Sequence, residues 1–288
     1  MRAVRDQAQS LRELARAAGR GARRARVLTV TSGKGGVGKT NLSVNLGIAL
    51  VRRGLRVVVV DADLGLANVD IVLGVDVERS LWDLLHGGLS VEDVLVPGPG
   101  GLEILPGGSG VHELAALSDG DLRRLLHHIE QLDAMFDVML IDTGAGIGRD
   151  VINFALAGDE VLIVTTTDPS ALADAYAMVK VISARRADAR LLIAVNMAAD
   201  FREGEATFQR LDSAARRFLG VQTTLLGVVP RDAAVIQAVK RQQPFVLATP
   251  QVAAARAVEA MARRLAGVPE AEPAGLSGLI RRLLRLDR

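Results

Sequence analysis

The sequence predicts an α/β fold in which one doubly wound, mostly parallel sheet is flanked by helices. From Val27 onward, short apolar runs rich in β-branched residues alternate with helical stretches, as parallel strands buried on both faces do. A glycine-rich loop lies between the first apolar run and the first helix. With 288 residues, 49% of them hydrophobic, the chain can bury a large core around a single sheet.

The elements follow one another in a regular order. The predicted strands are short and mostly uncharged: Val27 to Thr31, Arg56 to Asp61, Leu102 to Leu105, Val138 to Asp142, Val161 to Thr166, Leu191 to Asn196 and Leu225 to Val229. The predicted helices lie between them: Thr40 to Arg52, Asp121 to Ala134, Pro169 to Arg186, Glu203 to Leu219 and Pro250 to Ala266. Gly54 and Gly220 follow two of these helices and suit their C-terminal ends.

Composition excludes several classes of protein. The chain has no cysteine, so disulfides, thiolate metal sites and cysteine-held iron–sulfur clusters are ruled out. Neither a long uncharged apolar stretch nor the apolar block of a secretory signal is present. We therefore expect a cytoplasmic protein.

The basic side chains are concentrated at the two ends. Residues 1–26 contain eight arginines and two acidic residues, whereas the residues between the two ends carry a net negative charge. A basic arm can meet an anionic membrane or nucleic acid, or it can be a solvated tail, and composition leaves this open. We expect an N-terminal arm over residues 1–26, a body over 27–266, a Pro- and Glu-containing linker over 267–275 and a C-terminal helix over 276–288.

The glycine loop predicts a phosphate-binding site. It satisfies G-x-x-x-x-G-K-[ST] between a strand and a helix, the context that this motif requires. Backbone N–H groups of such a loop point at phosphate oxygens, the second lysine reaches the β- and γ-phosphates, and the hydroxyl holds Mg²⁺. The loop consists of Gly33, Lys34, Gly35, Gly36, Val37, Gly38, Lys39 and Thr40.

Carboxylates at two strand ends suit the metal and the attacking water. Asp142 ends an apolar strand where a Walker B residue is expected, although an aspartate there can also be a helix cap or a turn residue. Asp61 and Asp63 are two residues apart, so an extended backbone projects both to the same side. For Asp63, a surface turn before Gly65 is the alternative.

Lys34 inside the loop completes the deviant Walker A pattern K-G-G-x-G-K-[ST], and here the sequence resembles the MinD/ParA ATPases. The resemblance runs from about Val27 to Ala266 and implies a dimer with ATP and Mg²⁺, in which Lys34 reaches the partner's phosphates. It also implies that Asp63 orients the hydrolytic water and that Asp142 holds Mg²⁺ through water, with Asp61 and Thr40 beside the metal.

Base specificity also follows from the resemblance. The guanine signature N-K-x-D is absent. The family positions that contact nucleotide correspond here to Asn41 after the loop and, for adenine, to Asn196, Pro230, Arg231 and Asp232. ATP and ADP are therefore the expected ligands, although Asn196 and the strand exit at Pro230 also suit a simple turn.

The N-terminal arm and the runs DADLGLANVD and DTGAGI look closest to the FlhG branch of the family, also called YlxH or FleN. The resemblance implies control of flagellar number and placement and stimulation of the SRP-type GTPase FlhF. In the N-terminal arm, the motif that resembles FlhG proteins is D-Q-A-x-x-L-R, formed by Asp6, Gln7, Ala8, Leu11 and Arg12. The arm alone shows only a weak amphipathic helix, for which a disordered tail or a helix packed on the body is the alternative.

The C-terminal run LSGLIRRLLRLDR predicts an amphipathic helix. Its apolar face suits an anionic lipid interface, and docking into a groove of the body is the alternative. ATP-driven pairing of two such helices would raise avidity for the membrane. The face is formed by Leu276, Leu279, Ile280, Leu283 and Leu284.

Three other functions remain alternatives: division-site selection of the MinD type, DNA partitioning of the ParA type and a metabolic ATP-dependent ligase. The last belongs to a different class of protein. Beyond FlhF and the membrane, flagellar switch proteins or a flagellar transcription regulator are the expected partners, and sequence-specific DNA binding is not expected.

Overall fold

The computed structural model describes residues 24–63, 69–80, 83–84, 88–107, 128, 130–267 and 275–286. Eight strands form one sheet in the order β3-β4-β2-β5-β1-β6-β7-β8, and every neighbouring pair is parallel except β3 with β4. The strands are β1 Arg26–Ser32, β2 Val57–Ala62, β3 Val96–Pro97, β4 Glu103–Leu105, β5 Val138–Ala145, β6 Glu160–Thr166, β7 Arg190–Ala198 and β8 Thr224–Pro230. The predicted fold class is therefore confirmed.

The helices cover both faces of the sheet. Those whose two ends both lie within the described residues are, in chain order, α1 Lys39–Val51, α2 Val69–Leu73, α3 Val91–Val94, α4 Arg149–Ala157, α5 Pro169–Arg185, α6 Phe201–Leu219, α7 Ala233–Lys240, α8 Phe245–Ala248, α9 Ala253–Ala266 and α10 Gly275–Leu286. Helices α1, α8 and α9 pack on one face in one hydrophobic cluster, whereas α4, α5 and α6 pack in another cluster on the opposite face. The central strand β1 is buried along its whole length.

All seven predicted strands are present, with their ends displaced by at most three residues. The two-residue strand β3 and the short helices α2, α3, α4, α7 and α8 were not predicted, because four to nine residues carry too little periodicity to identify a helix. The predicted helix from Asp121 lies mostly outside the described residues, and residues 130–134 of it are helical. Gly220 ends α6 at a left-handed φ of 68°, as expected.

Helix α10 lies against the body. Its first residues pack into a third cluster with α4, β1 and the segment around Leu132. Of the predicted membrane face, Leu276, Leu279 and Ile280 are buried there and Leu283 packs at its margin; the side chain of Leu284 lies outside the described part. The alternative of docking on the body is thus the state that this structure holds. No helix within the described ranges is long and apolar enough to cross a membrane.

Candidate nucleotide-binding site

The glycine loop lies at the carboxyl end of β1 and opens directly into α1. Gly36 and Gly38 have φ values of 78° and 84°, in the left-handed region that favours glycine. At Gly38 a Cβ atom would lie 2.5 Å from Nδ2 of Asn196, and at Gly33 it would lie 2.5 Å from the backbone oxygen of Asp174. The loop therefore depends on glycine for conformation and for the close approach of its neighbours.

Lys39, Asp142 and Ser43 form a buried charged cluster under the loop. Nζ of Lys39 lies 3.1 Å from Oδ1 of Asp142, and both side chains are at least nine-tenths buried. Oγ of Ser43 donates to the same oxygen at 2.7 Å. Thr40 Oγ1 lies 3.4 Å from Nζ of Lys39, so the lysine, the hydroxyl and the carboxylate that the sequence assigned to phosphate and metal are brought together. A buried lysine and carboxylate with a hydroxyl beside them fit a magnesium-bound phosphate group.

Asp61 lies next to Asp142 on the neighbouring strand, because these two residues are partners in the register of β2 and β5. Its carboxylate accepts hydrogen bonds from the backbone N–H of Asp63 at 3.1 Å and of Val69 at 3.2 Å. Both bonds hold the two ends of the segment that follows β2. In this structure Asp61 thus holds the backbone of Asp63 and the start of α2, and a metal role for Asp61 stays a prediction.

Asp63 faces the carboxyl end of β5. A Cβ atom on Gly144 would lie 3.4 Å from Oδ1 of Asp63, which places this carboxylate against the glycine two residues after Asp142. Asp142 contacts Lys39 of the glycine loop. The carboxylate of Asp63 therefore lies at the same end of the sheet as the predicted phosphate site. The role of Asp63 in water activation stays a prediction.

Lys34 is exposed and is held within its own chain. Its Nζ lies 2.5 Å from Oγ of Ser170, and that hydroxyl donates to Oδ1 of Asp168 at 2.6 Å. Hydrogen bonds from the hydroxyl and N–H of Ser170 and from the N–H of Ala171, with the charge of Lys34, lower the pKa of Asp168 below its usual value. A role of Lys34 in a partner subunit would require this contact to open.

The predicted adenine residues gather at the ends of β7 and β8. Asn196 donates from Nδ2 to the backbone oxygen of Val37 at 2.8 Å, and its Oδ1 accepts from the N–H of Met197. Pro230 pairs with Ala198, Arg231 donates its N–H to Ala198, and Asp232 caps α7. Because both ends of the Asn196 amide are engaged, its observed role is to hold the glycine loop, and contact with adenine stays a prediction.

Sequence reasoning missed four residues, three of them in this region and one, Asp133, beneath α10. Ser43 and Ser170 act through contacts with residues that are distant in the chain. Met197 is partly exposed at a positive φ of 56°, beside Asn196. Asp133 accepts a hydrogen bond at 2.7 Å from the N–H of Leu276 at the start of α10. Only the position of Ser43, one helical turn after Lys39 on a buried face, could have been inferred from spacing.

The structure describes the C-terminal arm but not the predicted motif of the N-terminal arm. Asp6, Gln7, Ala8, Leu11 and Arg12 lie outside the described residues. At the other end, Arg282 of α10 donates to the backbone oxygens of Ala157 and Gly158, both at 2.8 Å. These contacts and the Asp133 bond hold α10 at both of its ends.

Known proteins match this chain over nearly its whole length. Residues 28–245 match the family described as the CobQ/CobB/MinD/ParA nucleotide binding domain. Antiactivator FleN of Pseudomonas aeruginosa is 40% identical over 90% of this chain and 93% of its own length. The flagellum site-determining protein YlxH of Helicobacter pylori is 34% identical over 90% of this chain and 89% of its own.

A solved structure shows what such a site binds. The septum site-determining protein MinD of Pyrococcus horikoshii, complexed with Mg-ADP, is 30% identical, with a TM-score of 0.66 over 84% of this chain and 98% of that one. The glycine loop, Lys39, Thr40 and Asp142 described above provide the groups that such a ligand needs. The chain therefore belongs to the CobQ/CobB/MinD/ParA family and is a magnesium-dependent P-loop ATPase of the MinD/ParA type, with FleN and YlxH among its relatives.

Proposed function

We propose that this ATPase is a dimerisation switch that controls the number or placement of flagella. The name of the relative YlxH, a flagellum site-determining protein, supports the flagellar assignment, and the relative FleN is named as an antiactivator. A MinD-type role in division-site selection is the second candidate, and the MinD structure above supports it.

The chemistry follows from residues at the carboxyl ends of three neighbouring strands. Lys39 and the loop N–H groups bind the phosphates, and Asp142 and Thr40 hold the magnesium ion, which neutralises phosphate charge. Asp63 orients the attacking water from its place beside Gly144. Lys34 leaves Ser170 and supplies positive charge to the phosphates of the partner subunit in the ATP dimer.

One observation carries the proposed link between nucleotide and membrane. Helix α10 packs against α4, and α4 begins only four residues after Ala145, the end of the strand that contains Asp142. A rearrangement at the phosphates that moves residues 143–148 is therefore transmitted directly to the surface on which α10 lies. We propose that the ATP dimer releases α10 and that its apolar face then enters an anionic membrane.

Pairing makes this attachment effective. A single twelve-residue helix binds lipid weakly, and two helices presented by one dimer gain avidity of roughly 100-fold. The protein would thus be cytoplasmic as a monomer and peripherally membrane-bound as an ATP dimer. Co-sedimentation with anionic liposomes tests this proposal: equal sedimentation with ATP and with ADP would contradict it.

The N-terminal arm distinguishes the flagellar function from division-site selection. We propose that Gln7 and Leu11 belong to the surface that contacts an FlhF-like GTPase and stimulates its GTP hydrolysis. A peptide of residues 1–24 should raise the GTPase rate of the cognate FlhF, and the Gln7→Ala or Leu11→Ala peptide should not. No stimulation by the wild-type peptide would favour the division-site role. Flagellar switch proteins or a flagellar transcription regulator are the proposed downstream partners.

A further inference from the structure

An apolar groove lies at the edge of the sheet beside β8. This strand pairs with β7 on one side and is the last strand of the sheet in the part of the chain that the structure describes. The groove has a volume of about 470 Å³ and runs between the start of α6 and the outer face of α9. Its lining includes Phe201, Val228, Ala253, Ala257, Ala260 and Met261.

The lining suits an apolar helix face better than a polar small molecule. Phe201 is 53% exposed at one wall, and small alanine side chains form the other. The polar lining residues include Arg256 and Arg264, whose guanidinium groups already donate to the backbone oxygens of Gln251 and Leu226. Small residues on a helix let a second helix approach closely, and an exposed apolar groove of this kind marks an interaction surface.

The position of the chain's N-terminal end identifies an occupant. The guanidinium of Arg26 donates to the backbone oxygen of Leu265 at 2.7 Å, at the C-terminal end of α9. Arg264, the neighbour of Leu265, lines the groove. The described part begins at Arg24, two residues before Arg26, so its N-terminal end lies close to the C-terminal end of α9, where Arg264 lines the groove.

The length and spacing of that arm match the groove. Ala253, Ala257, Ala260 and Arg264 recur along α9 at intervals of four, three and four residues, as Val4, Ala8, Leu11 and Ala15 do in the arm. Each set spans about 16 Å of helix at 1.5 Å per residue. The eight residues from 16 to 23 can reach roughly 26 Å when extended, which is ample for the connection.

We propose that the groove binds the N-terminal arm of the same chain, as a helix that runs parallel to α9 with Val4, Ala8 and Leu11 against its alanines. The consequence rests on the proposed function: Ala8 and Leu11 are covered in the free protein, so a GTPase partner must displace the arm from the groove before binding it.

Cysteine cross-linking of the full chain tests the docking, because the native chain has no cysteine. The Ala8→Cys, Ala257→Cys protein is oxidised with copper phenanthroline and compared with an Ala8→Cys, Glu78→Cys control, in which the second cysteine is exposed near the opposite edge of the sheet. We expect an intramolecular disulfide at least tenfold faster in the first protein. Tryptic mapping should join the peptide of residues 6–12 to that of residues 257–263.

A second pair of variants tests the groove itself. Ala260→Glu in the Ala8→Cys, Ala257→Cys protein should lower the cross-linking rate towards that of the control, whereas Ala187→Glu on the exposed surface after α5 should leave it unchanged. Equal rates for the two cysteine pairs, no cross-link, or a disulfide between two chains would each overturn the proposal. Neither assay contains a GTPase, and stimulation of FlhF by the free peptide needs no groove, so the two proposals can fail separately.

Discussion

Removal of the Asp133 carboxylate should release α10 without altering the helical segment that carries residue 133. Asp133 is 4% exposed, and its Oδ1 accepts the N–H of Leu276 at 2.7 Å, as a capping carboxylate at a helix N-terminus does. Loss of such a cap costs about 1–2 kcal/mol, which lowers the ratio of docked to released helix by roughly 5- to 30-fold. Residues 130–135 are helical, so alanine at position 133 keeps the local backbone.

The assay is co-sedimentation with anionic liposomes in ADP, where we expect the monomer. If docking limits membrane binding, the apparent affinity of Asp133→Ala should rise by the same roughly 5- to 30-fold, because it scales with the released fraction. Asp212→Ala is the matched control: it removes another buried carboxylate, on α6, which accepts hydrogen bonds from Arg216 and Thr223. An Asp133→Ala protein that sediments as the wild type does, or an equal increase in Asp212→Ala, would refute the reasoning.

Three further predictions concern the site and the core. Gly38 has a φ of 84°, and Gly38→Ala places a methyl group 2.5 Å from Asn196, so this variant should lose binding of fluorescent ATP. Gly54→Ala, whose methyl group has no neighbour within 4 Å, should retain binding. Glu160→Gln leaves the buried Arg26 without its carboxylate and should lower the urea unfolding free energy by about 3–5 kcal/mol; an unchanged midpoint would contradict this. Burial raises the pKa of Asp212, but hydrogen bonds from Thr223 and Arg216 outweigh burial and lower it overall. Its stabilisation should therefore be present at neutral pH and lost as the pH falls through that lowered pKa, so the unfolding midpoints of wild type and Asp212→Asn should converge in acid.

The sequence predicted the parts of the site that depend on local pattern. The glycine loop requires fixed spacing between a strand and a helix, so Lys39 and Thr40 could be placed. The apolar strand before Asp142 placed that carboxylate beside Lys39, and its metal role stays a prediction. Ser170 contacts Lys34 across 136 residues of chain, and no local pattern encodes that contact.

The docked helix shows the same limit. Periodicity identified the apolar face of α10, but a face of this kind suits lipid and a protein groove equally. The choice depends on Asp133, on the C-terminal end of α4 and on the cluster around Leu132, which only the folded chain assembles.

The most direct test of the switch is the mass of the protein in solution with ATP. Asp63→Ala should block hydrolysis and keep ATP bound, so light scattering should give twice the 30.5 kDa chain mass with ATP and the single mass with ADP. Addition of Lys34→Ala should return the ATP sample towards the single mass. A monomer under all conditions, or a dimer that is independent of nucleotide, would contradict an ATP-driven dimerisation switch.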